Sequence, residues 1–92
     1  MIEGAVDNPA MHRFEIDLGD GVAAAYYQID GDRFVLTHTE VPSEHSGQGI
    51  ASRLAKAVLE EIRRRGGKIA VRCPFFDAYL AKHPDYSDLI DG

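Results

Sequence analysis

One stretch limits what this chain can fold into: residues 41–66, V-P-S-E-H-S-G-Q-G-I-A-S-R-L-A-K-A-V-L-E-E-I-R-R-R-G, where a glycine-containing turn opens directly into a long amphipathic segment. Apolar residues recur at Ile50, Leu54, Val58 and Ile62, and Ala51, Ala55 and Leu59 widen the stripe, so the spacing predicts a helix with one buried face. Glu60 with Arg64 and Glu61 with Arg65 stand at i,i+4 in the favourable order. Arg63, Arg64 and Arg65 complement the negative end of the helix dipole, and Gly66-Gly67 ends the segment.

A helix with one apolar face needs a surface to lie on, and the flanking sequence reads as a sheet. Arg13 to Leu18 alternates, with Phe14, Ile16 and Leu18 on one face. Gly19-Asp20-Gly21 supplies turn chemistry before a second strand, Val22 to Ile29, in which Ala23, Ala25, Tyr27 and Ile29 share a face and Tyr26 points away. After Asp30-Gly31-Asp32, a third strand from Arg33 to Val41 places Phe34, Leu36, His38 and Glu40 on one side. Beyond the helix, Lys68 to Arg72 is a short strand, and strand, helix, strand predicts a parallel right-handed crossover. Cys73 is held extended by Pro74, and a short helix from Phe76 carries Phe76, Tyr79, Leu80 and His83 on one side before Pro84 stops it. Tyr86, Leu89 and Ile90 are anchors for the tail. Residues 1–11 lack periodicity and read as a flexible lead-in. The expected class is α+β: an antiparallel three-stranded meander, a central helix, a further strand parallel to the third and a short C-terminal helix. With 92 residues, of which 45% are hydrophobic, one domain over 1–92 is expected.

A formal charge of −5 argues against nucleic acid or an anionic membrane as a partner. No apolar run approaches the roughly 20 residues of a membrane span, and the N-terminal sequence lacks a basic and apolar leader pattern, so a cytoplasmic setting is expected. A single cysteine, Cys73, and scattered histidines give neither a disulfide nor a metal-ligand spacing; no metal is expected.

Gly47 and Gly49 permit positive φ or close backbone approach just where unpaired helix N–H groups gather, near Gln48 to Ser52, so a phosphate is the natural guest. The turn lacks the lysine of a P-loop. It also departs from a dinucleotide fingerprint, since Ser52 replaces the third glycine and a meander precedes it. The segments H-T-E-V-P-S-E-H-S-G-Q-G-I-A-S and C-P-F-F-D-A-Y-L-A-K-H-P-D-Y together resemble the small GNAT-type (Gcn5-related) N-acetyltransferase family, over roughly Arg13 to Leu89. The resemblance implies a minimal GNAT fold and acetyl-CoA as cosubstrate, with the pyrophosphate of CoA on the backbone of Gly47, Gln48, Gly49, Ile50, Ala51 and Ser52. It implies a pantetheine arm between Thr39 to Val41 and Cys73, and further contacts from His45, Ser46, Phe76, Lys82 and His83. Glu44 and Ser46 stand where relatives often carry basic residues, so the backbone, not charged side chains of the turn, is left to bind phosphate.

Acetyl transfer to an amine needs a base, donors for the developing oxyanion and a proton for the leaving thiolate. His38 and Glu40, two apart on a strand, are candidate bases; a solvated strand end and a hydrogen-bonded histidine are the ordinary alternatives. In the resembled family the cysteine that opens the second motif is a proposed catalytic residue, so Cys73 is either an acetyl-accepting nucleophile, with Arg72, Lys82 and His83 as nearby cations, or a small core residue. Tyr79 stands where larger relatives offer a tyrosine to the thiolate, and packing against Phe75 or Phe76 is its other role. An acetyl-CoA-dependent N-acetyltransferase with an unidentified amine acceptor is the leading expectation. A non-catalytic CoA or acyl-CoA-binding regulatory module is the alternative, and a general nucleotide-phosphate binder the third. A monomer or weak dimer is expected.

Overall fold

The computed structural model describes residues 5–91. Its order of elements is β1 (Ala5–Asn8), β2 (Arg13–Asp17), β3 (Val22–Asp30), β4 (Arg33–Glu40), α1 (Ile50–Arg64), β5 (Lys68–Val71) and α2 (Pro74–Lys82), with 3-10 turns at Pro9–Met11, Ser43–His45 and Pro84–Leu89. The strands form one five-stranded sheet whose spatial order repeats the chain order. The β1–β2, β2–β3 and β3–β4 pairs are antiparallel, and β4 runs parallel to β5 in the register Arg33↔Lys68 to Leu36↔Val71. The expected mixed α+β class, with meander, helix and parallel strand, is therefore present, with one strand more than the sequence suggested.

That strand corrects the reading of residues 1–11 as a flexible lead-in. Ala5 to Asn8 pairs with β2 from Ile16 to Arg13, and Asn8 Oδ1 accepts from the Met11 backbone N–H at 3.2 Å to close the turn between the strands. Residues 1–4 lie outside the described residues. β1 is further held by Asp7, which accepts from the Tyr27 hydroxyl at 2.6 Å and from Arg65 at 2.9 Å.

One layer of helix covers one face of the sheet. Phe14, Ile16, Ala23, Ala25, Tyr27, Phe34 and Leu36 meet Ile50, Leu54, Ala55, Val58, Leu59 and Ile62 of α1 in a single buried cluster, which Phe76, Leu80, Tyr86 and Leu89 extend. The predicted helical stripe is thus the buried one. Ile29 departs from its predicted face mates: it is 54% exposed, near the end of β3, past the area that α1 covers.

The chief departure lies in β4. Tyr26 pairs with His38 but Tyr27 pairs with Leu36, so Thr37 is an extra residue, and its hydroxyl donates to the Tyr26 carbonyl at 3.3 Å. Such a bulge reverses the side-chain alternation beyond it. Phe34 and Leu36 are buried under α1, whereas His38 and Glu40 are exposed and share the uncovered face with Tyr26. The expectation of all four on one side is corrected accordingly.

α1 closes with a Schellman motif: Gly67 N–H donates to Ile62 O at 3.0 Å and Gly66 N–H to Arg63 O at 3.0 Å, with Gly66 at φ 72°. Glu61 takes both Arg64 and Arg65, while Glu60 accepts from the Tyr86 hydroxyl at 2.6 Å, which corrects the expected Glu60–Arg64 pair. α2 begins at Pro74, two residues earlier than predicted, because proline suits the first turn, where no N–H partner is needed.

Candidate functional site

β4 and β5 are parallel, so their C-terminal ends lie at the same edge of the molecule, and there α1 starts on its return path. Their pairing stops at Leu36↔Val71, with a last bond from Arg72 N–H to Leu36 O at 2.9 Å. The Thr37 bulge falls at this point and no β4–β5 pairing follows it, so residues 38–41 and 72–73 border a gap in the pairing of the two strands. Across it the bulge has turned Thr39 toward Cys73, and Thr39 Oγ1 lies 3.3 Å from Cys73 Sγ.

The glycine turn closes the same end. Ser43–His45 forms a single 3-10 turn, Gly47 takes φ 81°, and Gly49, at φ 74°, is the N-cap of α1 and accepts from Arg53 N–H at 3.1 Å. No side chain caps the helix and its first turn holds no acidic residue, so the free N–H groups there face a hollow of about 200 Å³. Val41, His45, Ser46, Gly47 and the stretch Gly49 to Ser52 line it. Its shape and its donors suit an anionic group. Gln48 lies outside that lining: its Oε1 sits 3.3 Å from His45 Nδ1. His45 Nε2 in turn lies 2.9 Å from Asp20 Oδ1, in the β2–β3 turn. The Asp20 carboxylate, followed by Gln48, holds the His45 pKa above its ordinary value, and His45 lowers that of Asp20.

On the uncovered face, Tyr26 sits between Arg13 of β2 and His38 of β4. Arg13 donates to the Tyr26 hydroxyl at 3.0 Å, the hydroxyl lies 3.5 Å from Glu40 Oε1, His38 stacks on the Tyr26 ring at 5.8 Å, and His38 Nε2 lies 3.3 Å from Glu40 Oε2. His38 and Glu40 are therefore brought together, on the far side of the sheet from α1.

The remaining candidates divide by position. Cys73 is 4% exposed and belongs to the core cluster, and a second hollow, of about 260 Å³, lies beside it along Arg72, Pro74 and Asp77. Phe76 is fully buried in the core cluster and lines neither hollow. Lys82 and His83 end α2, roughly 13 Å from Cys73 at 1.5 Å per residue, too far to act as its neighbouring cations. Arg72 is exposed while Cys73 is buried, so its charge faces solvent. Tyr79 stacks on His83 at 4.0 Å, and burial, followed by the Asp85 and Glu60 carboxylates, raises its pKa, so it stays protonated at neutral pH. The arginines at the end of α1 are engaged with Glu61, Asp7 and Asp88, far from the glycine turn. A larger hollow, of about 420 Å³, lies beside them against β1, but its charged groups pair with one another.

The sequence reading passed over Asp20, which it took as turn chemistry alone, and the bridging role of Tyr26. Neither leaves a local signal, because each acts on a residue more than ten positions away.

A meander, a bulged strand ending in a glycine turn, and a helix whose free N–H groups face a hollow beside a gap in a parallel pair define the acyltransferase fold of the GNAT class. The chain belongs to the GCN5-related N-acetyltransferase family, whose model matches residues 13–89. It is similar to Protein NATD1 of Homo sapiens, with 38% identity over 63 residues covering 67% of this chain and 56% of that protein. The relation to Protein NATD1 of Danio rerio is 32% over 71 residues, covering 74% and 64%. The chain thus spans somewhat over half the length of the curated relatives it matches. Among solved structures, a GCN5-like putative N-acetyltransferase from Staphylococcus aureus superposes with a TM-score of 0.72 at 31% identity, covering 96% of this chain and 87% of that one.

Proposed function

We propose that this chain is an acetyl-CoA-dependent N-acetyltransferase that passes the acetyl group directly to an amine. The observation that carries the reading is the convergence, at one end of the molecule, of the glycine-turn hollow with the ends of β4 and β5, whose pairing stops at the Thr37 bulge. The hollow fits a pyrophosphate: positive φ at Gly47 and Gly49 turns the chain, and the unpaired N–H groups of the first turn of α1 point inward. The backbone of Thr39 to Val41, no longer paired to β5, offers hydrogen bonds to the amides of the pantetheine arm. Bound there, acetyl-CoA supplies an activated carbonyl.

The chain's own groups do the rest. α1 and α2 close the helix side, so an acceptor approaches from the uncovered face, where Glu40 and His38 stand ready to take the proton of an ammonium group. The amine nitrogen forms the new bond to the carbonyl carbon, the carbon–sulfur bond breaks, and the nitrogen gives up its second proton to water. The thiolate takes a proton from Tyr79 or from water. Burial of Cys73 favours this direct route over an acetyl-cysteine.

Thiol release from acetyl-CoA in the presence of a panel of amines and lysine peptides tests the proposal. Release that depends on the acceptor, and that falls by about 100-fold or more in a Glu40→Gln/His38→Gln double variant, is the expected result. Tight CoA binding by calorimetry with no release for any acceptor assigns the chain instead to the non-catalytic CoA-binding class.

A further inference from the structure

We infer that Asp20 is a positioning residue of the CoA site, acting through His45 to set a positive charge beside the pyrophosphate hollow. The inference rests on the acetyl-CoA reading above and adds what that reading lacks, a source of side-chain charge in a turn whose own residues are Glu44, Ser46 and Gln48.

The geometry carries it. The ring of His45 lies between two acceptors, the Asp20 carboxylate on Nε2 at 2.9 Å and Gln48 Oε1 on Nδ1 at 3.3 Å. A neutral imidazole has one N–H and satisfies one of them, whereas the imidazolium satisfies both. His45 lines the hollow and Asp20 does not, so the positive end of the pair faces the anion site and the negative end faces solvent. The other charged group bearing on His45 is Glu44, next to it in the chain, which also favours the cation; the first turn of α1 adds no acidic residue. Both ring nitrogens are engaged, so His45 acts on the pyrophosphate through its charge. The raised pKa of His45, caused first by Asp20, agrees with this arrangement. Loss of the proton removes the charge and one of the ring's two hydrogen bonds, either to Asp20 in the β2–β3 turn or to Gln48 within the glycine turn.

Dephospho-CoA is the probe, because it keeps the pyrophosphate and lacks the 3′-phosphate, whose second ionisation falls near pH 6 and would mask that of a histidine. Affinity is measured by calorimetry at steps from pH 5.5 to 8 for the wild type, Asp20→Asn and His45→Gln. Asp20 is exposed at a turn, so its replacement leaves the core untouched. At pH 5.5 His45 is charged with or without its partner, and Asp20→Asn should bind as tightly as the wild type. As pH rises, the variant should lose affinity first and fall about fivefold behind near neutrality. His45→Gln should bind weakly with no such pH dependence. An Asp20→Asn defect of the same size at every pH would reduce Asp20 to a mechanical brace and overturn the inference, as would no defect at all. Failure of the wild type to bind dephospho-CoA at any pH would instead overturn the acetyl-CoA reading beneath it.

Discussion

Cys73 shows how far one residue's surroundings decide its chemistry. A thiol reacts as thiolate, and thiolate needs exposure or nearby cations. Cys73 has little exposure, its near polar neighbour is the Thr39 hydroxyl, and Lys82 and His83 stand at the far end of α2. Cys73→Ala should therefore lose about 1 kcal/mol of stability in chemical denaturation and keep its transferase rate within a few-fold. Loss of activity in a variant that stays folded, or acetyl on Cys73 by mass spectrometry after an acid quench, would restore the covalent route. Its position at a strand end was legible from Pro74 and the preceding short strand. Its burial was not, because burial depends on α2 starting at Pro74 and folding back over the thiol.

At the scale of elements, the two glycines after α1 offer a matched test. Gly66 has open space around a missing Cβ but sits at φ 72°, whereas a Cβ on Gly67 would meet Asp32 O at 3.2 Å, Ile62 Cγ2 at 3.3 Å and Phe34 Cε1 at 3.3 Å. Gly66→Ala should cost about 1 kcal/mol through backbone strain, and Gly66→Asn less, since asparagine tolerates the left-handed region. Gly67→Ala should cost roughly 1–3 kcal/mol by overpacking, and Gly67→Asn at least as much. Urea titrations of the four variants separate strain from crowding; equal behaviour of the two asparagine variants would refute the distinction. Helix and strands were legible where period and punctuation agreed, as in Ile50 to Ile62 and Phe14 to Ile16. The Thr37 bulge was not, because Thr-His-Thr carries no glycine and alternates like any strand. β1 was missed because four residues are too few to show a period, and because what fixes them, Tyr27 and Arg65 on Asp7, lies in other elements. The donor hollow was readable from Gly47, Gly49 and the helix start. The placing of His38 and Glu40 against α1 or away from it was not, since one inserted residue decides it.

For the whole molecule, charge joins the layers. Glu61 receives Arg64 and Arg65, Arg65 continues to Asp7 of β1, and the two arginines hold the Glu61 carboxyl down at about 2. A lowered carboxyl pKa contributes stability that is present above the ordinary value near 4.5 and is lost as pH falls through about 2. The melting temperature should thus decline over that interval. Glu61→Gln should start lower at neutral pH and show a shallower decline in thermal scans; a decline unchanged by the substitution would assign acid sensitivity to other groups.

The sheet's order also fixes a sequence of events in time. β1 to β4 are joined by short turns, so each can pair as soon as its neighbour exists, whereas β5 must wait for α1 to be made and laid down. Loop closure of that length is the slow step in a chain otherwise rich in local pairings. Pulse-labelled refolding should find amides of β2 to β4 protected before those of Ile69 and Ala70. On that order a nascent or refolding chain should pass through a stage with a formed meander and a bare β4 edge. The edge that the proposed acetyl-CoA complex places beside the thioester is, for that interval, the molecule's most exposed invitation to pair with another chain.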